Sequence, residues 1–177
     1  MASELRVDRI IPTTGAPTTG GGGIIQTVFG EKSGEVTTSN TSTYVDTGLN
    51  ATITPKFSSS KILVMIDQVF HVSRSSETAN GGFKVLRGST VLALPNATQS
   101  NGATPYGLNY QVNGASYIGI VGRWTWQSLD SPATTSAVTY KVQMACMSSA
   151  NSGRIRAQYV GTSGEQKSHI ILMEVSA

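Results

Sequence analysis

The chain has 177 residues, with 13 Lys and Arg against 10 Asp and Glu and a formal net charge of +3. That length suits one domain with an extension, large enough to bury a core without a metal or a disulfide. Charged residues make up only 13% against a usual ~25%. The basic residues form no cluster beyond Arg154 and Arg156, which argues against histone-like or polymerase-like roles and against nucleic acid as a partner.

The first residues, MASELRVDRIIP, interleave charges with Leu5, Val7, Ile10 and Ile11, so no apolar run fits a signal peptide. No stretch approaches the roughly 18 apolar residues of a membrane-spanning helix, and no membrane insertion is expected. Residues 12–23, PTTGAPTTGGGG, are stiffened by two prolines and then loosened by four glycines, the signature of a linker or hinge. Residues 1–23 are therefore read as an anchoring arm and linker, and 24–177 as the folded domain. Leu5, Val7, Ile10 and Ile11 are too few to make a core alone, so they are the candidates for anchoring the arm on a neighbour.

From Ile24 the chain reads as strand after strand. Residues 24–29, 35–39, 43–45 and 49–54 are predicted strands, with a turn at Thr47-Gly48 and a stop at Pro55. The central element is Lys61 to Arg74, KILVMIDQVFHVSR. Ile62, Val64, Ile66, Phe70 and Val72 keep a period of two, which puts one face of a long strand on a core. Leu63, Met65 and Val69 leave the other face only partly polar, so it is expected to be covered too, by another subunit.

Residues 75–82, SSETANGG, read as a loop with hairpin chemistry at Asn80-Gly81. Strands follow at 83–86 and 91–94, then a polar loop at 95–104. Further strands are predicted at 106–112 and 116–126, joined through Asn113-Gly114, the strongest hairpin signal in the chain. A longer connection at 128–135 leads to strands at 137–147, 154–160 and 169–175. About ten strands and no helical period point to an all-β fold, a two-sheet antiparallel sandwich or jelly roll preceded by an extended N-terminal arm.

Chemistry is sparse. The single cysteine, Cys146, shares parity with Val138, Tyr140, Val142 and Met144 and is read as core. His71 and His169 are too few for a zinc site. A two-histidine contact would need an acid such as Asp67 or Glu174 beside it. The carboxylates Asp67, Asp130, Glu165 and Glu174 lie on separate segments, and no GxSxG or GK[ST] motif occurs. No catalytic residue, metal or cofactor is expected, and the protein is not read as an enzyme. Trp124 and Trp126 share a face with Ile118 and Ile120 and read first as a core stripe. With Tyr106, placed near a hairpin alongside Tyr110 and Tyr117, they are also the candidates for a glycan or subunit contact.

Tyr44, Thr47, Gly48, Leu49, Ala51, Ile53, Thr54 and Pro55 form the phrase Y-x-x-T-G-L-x-A-x-I-T-P, followed by Ser59, Ser60, Lys61, Ile62, Leu63 and Val64. This run resembles the opening of a β-domain of tailed-bacteriophage structural proteins. Residues 128–144 are similar to that family's D-x-P segment, HIILMEV to its closing strand, and SELRVDRIIPTTG to the starts of phage fibre proteins. The resemblance implies a virion protein assembled in the host cytoplasm, expected to be a homotrimer. It is either a tail fibre or appendage domain that binds a host glycan or protein, or a capsid decoration, head-fibre or tail-adaptor protein. In both cases residues 1–23 attach to other virion proteins, and the loops 75–82, 95–104 and 128–135 are expected to face outward.

Overall fold

The computed structural model describes residues 23–94, 107–146, 148–159, 161 and 166–176. The expected arm with Leu5, Val7, Ile10 and Ile11 lies outside them, as do Tyr106, Glu165 and the loop 95–104.

Eleven strands are described: β1 (Ile24–Lys32), β2 (Val36–Thr38), β3 (Val45–Ile53), β4 (Lys61–Arg74), β5 (Thr78–Arg87), β6 (Thr90–Ala93), β7 (Leu108–Gln111), β8 (Ile118–Asp130), β9 (Val138–Cys146), β10 (Arg154–Ala157) and β11 (Ser168–Val175). They form two antiparallel sheets packed as a sandwich. In the first sheet β4 is central, with β8 on one side and β11 and β10 in succession on the other. β1 flanks β11, and β2 flanks β10. The second sheet runs β3-β9-β5, with β6 and β7 sharing the far side of β5. The chain changes sheet between β2 and β3, β3 and β4, β4 and β5, β7 and β8, β8 and β9, and β9 and β10, so strands adjacent in sequence are mostly not neighbours in a sheet. That winding is jelly-roll-like.

β4 supplies the expected face. Ile62, Val64, Ile66, Phe70 and Val72 point inward and are buried against Leu49, Ile53, Phe83, Val85, Val142, Met144, Ile155 and Leu172. Each such side chain contributes about 1.5–3 kcal/mol relative to exposure. Cys146 is buried on the inward face of β9 with Tyr140, Val142 and Met144, as its parity predicted.

One inward position of β4 is polar. Gln68 is fully buried where the strand's neighbour changes from β11 to β10. At that change Val69 has no ladder partner on β11 or β10. Its N–H donates to the Ser168 hydroxyl (2.9 Å), and its carbonyl accepts from Gln158 N–H (3.1 Å) and from Gln68 Nε2 (2.9 Å). Gln158 takes a positive φ of 50° to reach it. Buried backbone groups must find partners, and Ser168, Gln158 and Gln68 supply them at the strand switch.

Three expected turns are different in the structure. Thr47-Gly48 is no turn but an irregularity inside a single strand β3, which absorbs the segments predicted at 43–45 and 49–54. Gly48 takes φ +82°, and the Thr47 hydroxyl donates to the Val142 carbonyl (3.0 Å), replacing a ladder bond. Asn80-Gly81 is buried mid-strand in β5. Asn80 Nδ2 donates to Asn109 on β7 (2.7 Å), and a Cβ on Gly81 would meet Ile155 Cδ1 at 2.8 Å. The glycine there allows close packing of the sheets rather than chain reversal. Asn113-Gly114 does turn, with Gly114 at φ +76°, but β7 pairs with β5 and β8 with β4. The turn carries the chain between sheets and makes no hairpin.

The sandwich has two unlike ends. At the base the chain begins β1, and Ser176 N–H donates to the Gly23 carbonyl (3.1 Å). The connections 54–60, 88–89 and 131–137 lie at this same end, beside Lys61. At the tip, beyond Arg74, lie the connections 39–44, 75–77, 112–117 and 148–153. The 14 residues of β4 separate the ends by about 43 Å at ~3.3 Å per residue. Of the loops expected to face outward together, 75–77 is at the tip and 131–135 at the base. Residues 78–82 and 128–130 belong to β5 and β8.

Candidate interaction surfaces

Alternation sends the odd residues of β4, β8 and β11 to the outer face of the first sheet, and the register aligns them in rows with β1. Thr27, Met173, Leu63 and Leu129 form one row, and Phe29, Ile171, Met65 and Gln127 the next. Glu31, His169, Asp67 and Thr125 form the third. The first two rows make a contiguous apolar surface, on which Phe29 is 59% and Leu129 50% exposed. It is the partly apolar second face that Leu63 and Met65 announced. Val69, expected on the same face, is buried at the strand switch.

The third row bounds this surface with charge. Glu31 takes hydrogen bonds from Lys167 (2.7 Å) and faces His169 Nε2 at 3.4 Å. The Lys167 hydrogen bond holds the Glu31 carboxyl below the ordinary range. Phe29 packs on the His169 ring at 5.4 Å. Asp67 is ion-paired with Arg123. Between these charges and the apolar rows runs a groove of about 470 Å³ lined by Met65, Asp67, Thr125, Trp126, His169 and Ile171. His169 and Asp67 are thus brought together, while Glu174 points inward, away from them. Among the described residues no group of three or more His, Cys, Asp or Glu is arranged to hold a metal ion. No helix among them is long and apolar enough to cross a membrane.

The outer face of the second sheet is unlike the first. Asp46, Asn50, Thr52, Thr139, Lys141 and Gln143 carry it, and they satisfy one another. Lys141 and Gln143 both bind the Asp46 carboxylate (3.1 and 2.7 Å), and Thr52 and Thr139 share a hydrogen bond of 2.7 Å.

Trp124 and Trp126 are half-buried on the inward side of β8 and pack against the core, Trp124 against Phe83 at 5.1 Å between ring centroids. Their rings are held by Phe83 and the core cluster. Ile118 is buried on the same stripe. Tyr117 at the tip is 59% exposed. The acids named from sequence have structural partners. Asp130 accepts from Arg87 (2.7 Å) and from the Tyr140 hydroxyl (2.7 Å), tying β8 to β5 and β9 across the sandwich. Burial, then the Asp130 hydrogen bond, push the Tyr140 hydroxyl well above its usual range. Glu174 is fully buried at the base. Burial alone would raise its pKa. Hydrogen bonds from Gln26 Nε2 (2.6 Å) and from the N–H groups of Lys56 (2.7 Å) and Phe57 (3.3 Å) outweigh that and hold it low.

Nearer the tip, His71 is buried under Tyr159, stacked at 4.3 Å. Burial first, and Arg156 beside it second, hold the His71 imidazole below its usual range. Arg156 lies over the same tyrosine and pairs with Glu35 at 3.5 Å. Nothing in the sequence marked Tyr159 as a partner of His71, because the two meet only through the register of β10 on β4 and the chain just beyond it.

No protein-family model matches this sequence, and no curated protein matches it either.

Proposed function

We propose that the protein is a non-catalytic structural protein of a phage virion, a tail fibre or appendage domain that works as a homotrimer. The observation that carries this reading is the contrast between the two outer faces. One is polar and internally bonded, and the other is a contiguous apolar surface with charges along one edge, of the kind that marks an interface. Its occupant is a second copy of the chain. β8 is a 13-residue edge strand, and Val121 is 54% exposed. Natural sheets cover or blunt such long edges. Packing the β8 edge of one copy on the apolar face of the next is a heterologous contact, which forms a ring when its rotation closes. Three copies is the ring proposed.

The attachment segment in this reading is residues 1–23, which lead directly into the base, while the tip connections face away from the virion. Sedimentation at micromolar concentration should give three times the mass of one chain, and a clean monomer would end the proposal. Deleting residues 1–19 should leave that oligomer folded but absent from purified particles. The sequence resemblance also supports an alternative reading, a capsid decoration, head-fibre or tail-adaptor protein. Copy number separates the two, with hundreds per particle favouring decoration of the head.

A further inference from the structure

The tip holds a cleft of about 350 Å³ where the outer face of the first sheet meets the β9–β10 connection. The end of β2 (Thr37, Thr38) and the following Ser39 form one wall, and Ser149, Ser152 and Arg154 form the other. Its lining is almost entirely hydroxyls and backbone, with a single cation.

Arg154 is unlike the other arginines of the described residues. Arg87, Arg123 and Arg156 are ion-paired, and Arg74 Nε donates to the Ala150 carbonyl (3.2 Å). Arg154 is half-buried and has neither an ion pair nor a side-chain hydrogen bond among the described residues. A guanidinium is a planar fork of donors matched to a carboxylate, and this one is left open at the cleft.

The wall beside it is held in a strained form. Asn151 and Ser152 both take positive φ, 52° and 58°, where non-glycine residues are disfavoured. Ser75 N–H donates to the Asn151 carbonyl (2.8 Å), and Arg74 grips the residue before it. Gly153 has no room for a side chain, since a Cβ there would lie 1.8 Å from the Ser148 carbonyl oxygen. A connection from β9 to β10 has no need of two left-handed residues in sequence. Strain kept in place by surrounding bonds is characteristic of pre-organised binding sites.

We propose that this cleft binds a carboxylate-bearing sugar residue, with Arg154 gripping the carboxylate and Thr37, Ser39, Ser149 and Ser152 meeting the sugar hydroxyls. An inorganic anion could accept from the guanidinium and the hydroxyls, but it has no hydroxyls of its own and would fill only part of a cleft this size. A neutral sugar would use the hydroxyls and leave the guanidinium unpaired. The volume lies at the small end of ligand sites and suits a terminal sugar. The proposal rests on the attachment reading above, since the cleft sits at the end opposite Gly23 and Ser176.

The test is titration of the full-length protein with D-glucuronate and N-acetylneuraminate, followed by saturation-transfer NMR, with glucose and sulfate as controls. At least one acidic sugar should bind, with glucose about tenfold weaker or more, as loss of a charged hydrogen-bonding partner implies. Arg154→Gln should reduce acidic-sugar binding to the glucose level, and Arg154→Lys should restore only part of it. Sedimentation and melting of both variants should match the parent, so that a folding defect is not mistaken for a binding one. Absence of binding by both acidic sugars, equal binding of glucose, sulfate competing as well as the sugar, or an Arg154→Gln variant that binds normally would each overturn the proposal. The same sedimentation run separates the two ideas. An intact trimer that binds no acidic sugar sinks the cleft alone, and a monomer that binds sugar sinks the trimeric-appendage reading alone.

Discussion

The two outer faces of the sandwich are built from the same kind of strand, yet only one is covered with polar side chains that pair with one another. On the second sheet Asp46, Lys141, Gln143, Thr52 and Thr139 pair across strands. On the first, Phe29, Ile171, Met173, Leu63, Met65 and Leu129 stand in adjoining rows, and the charges sit along one edge. Both faces obey the period of two. The difference is what occupies the outward positions, and it teaches that alternation locates a face while composition says whether water or protein is to meet it.

The contrast can be broken most directly by charge. Leu63→Lys or Met65→Asp should convert the proposed trimer to monomer, because in that assembly each would bury an unpaired charge at a cost of about 3 kcal/mol or more, roughly a hundredfold in association. The matching change Asn50→Lys on the other face should leave the sedimenting species unchanged. Equal effects on both faces would dissolve the distinction.

Folding and association can then be separated through the link across the sandwich. Asp130→Ala strands a partly buried Arg87 and a buried Tyr140 hydroxyl. It should cost about 2 kcal/mol of stability, seen as a lower denaturation midpoint, without altering the sedimenting species at temperatures where the chain is folded.

Acid sharpens the comparison further. Glu174 and Glu31 both have carboxyls held below the ordinary glutamate value of 4.5. A group whose folded pKa is depressed adds stability above its unfolded pKa and loses it as pH falls through the folded value. Stability should therefore decline as pH drops below about 4.5, and Glu174→Gln should flatten part of that decline while freeing the 54–57 connection. His71 follows the same sign at higher pH. Its depressed imidazole favours the folded state above about 6.5, and that contribution fades as pH falls below it.

The smallest effect belongs to the polar face. Asp46→Ala removes an exposed pair with Lys141 and should shift stability by less than about 1 kcal/mol, with no change in assembly by sedimentation.

Residue periodicity alone determined that the chain is a β-sandwich, that β4 runs from Lys61 to Arg74, and that Ile62, Val64, Ile66, Phe70 and Val72 face the core, because a strand's two faces follow from local geometry. It also placed Cys146 inside and exposed the apolar outer face at Leu63 and Met65. Tertiary structure alone decided the rest. Asn80-Gly81 has the chemistry of a turn, but pairing with Asn109 and the approach of Ile155 hold it within a strand. Thr47-Gly48 likewise became an irregularity inside β3 once Val142 offered its carbonyl. Which loops share an end, which arginine lacks a partner among the described residues, and which rows of side chains meet across β1, β11, β4 and β8 all depend on strand order. Strand order is a property of contacts between residues far apart in the chain, and local preference carries no record of it.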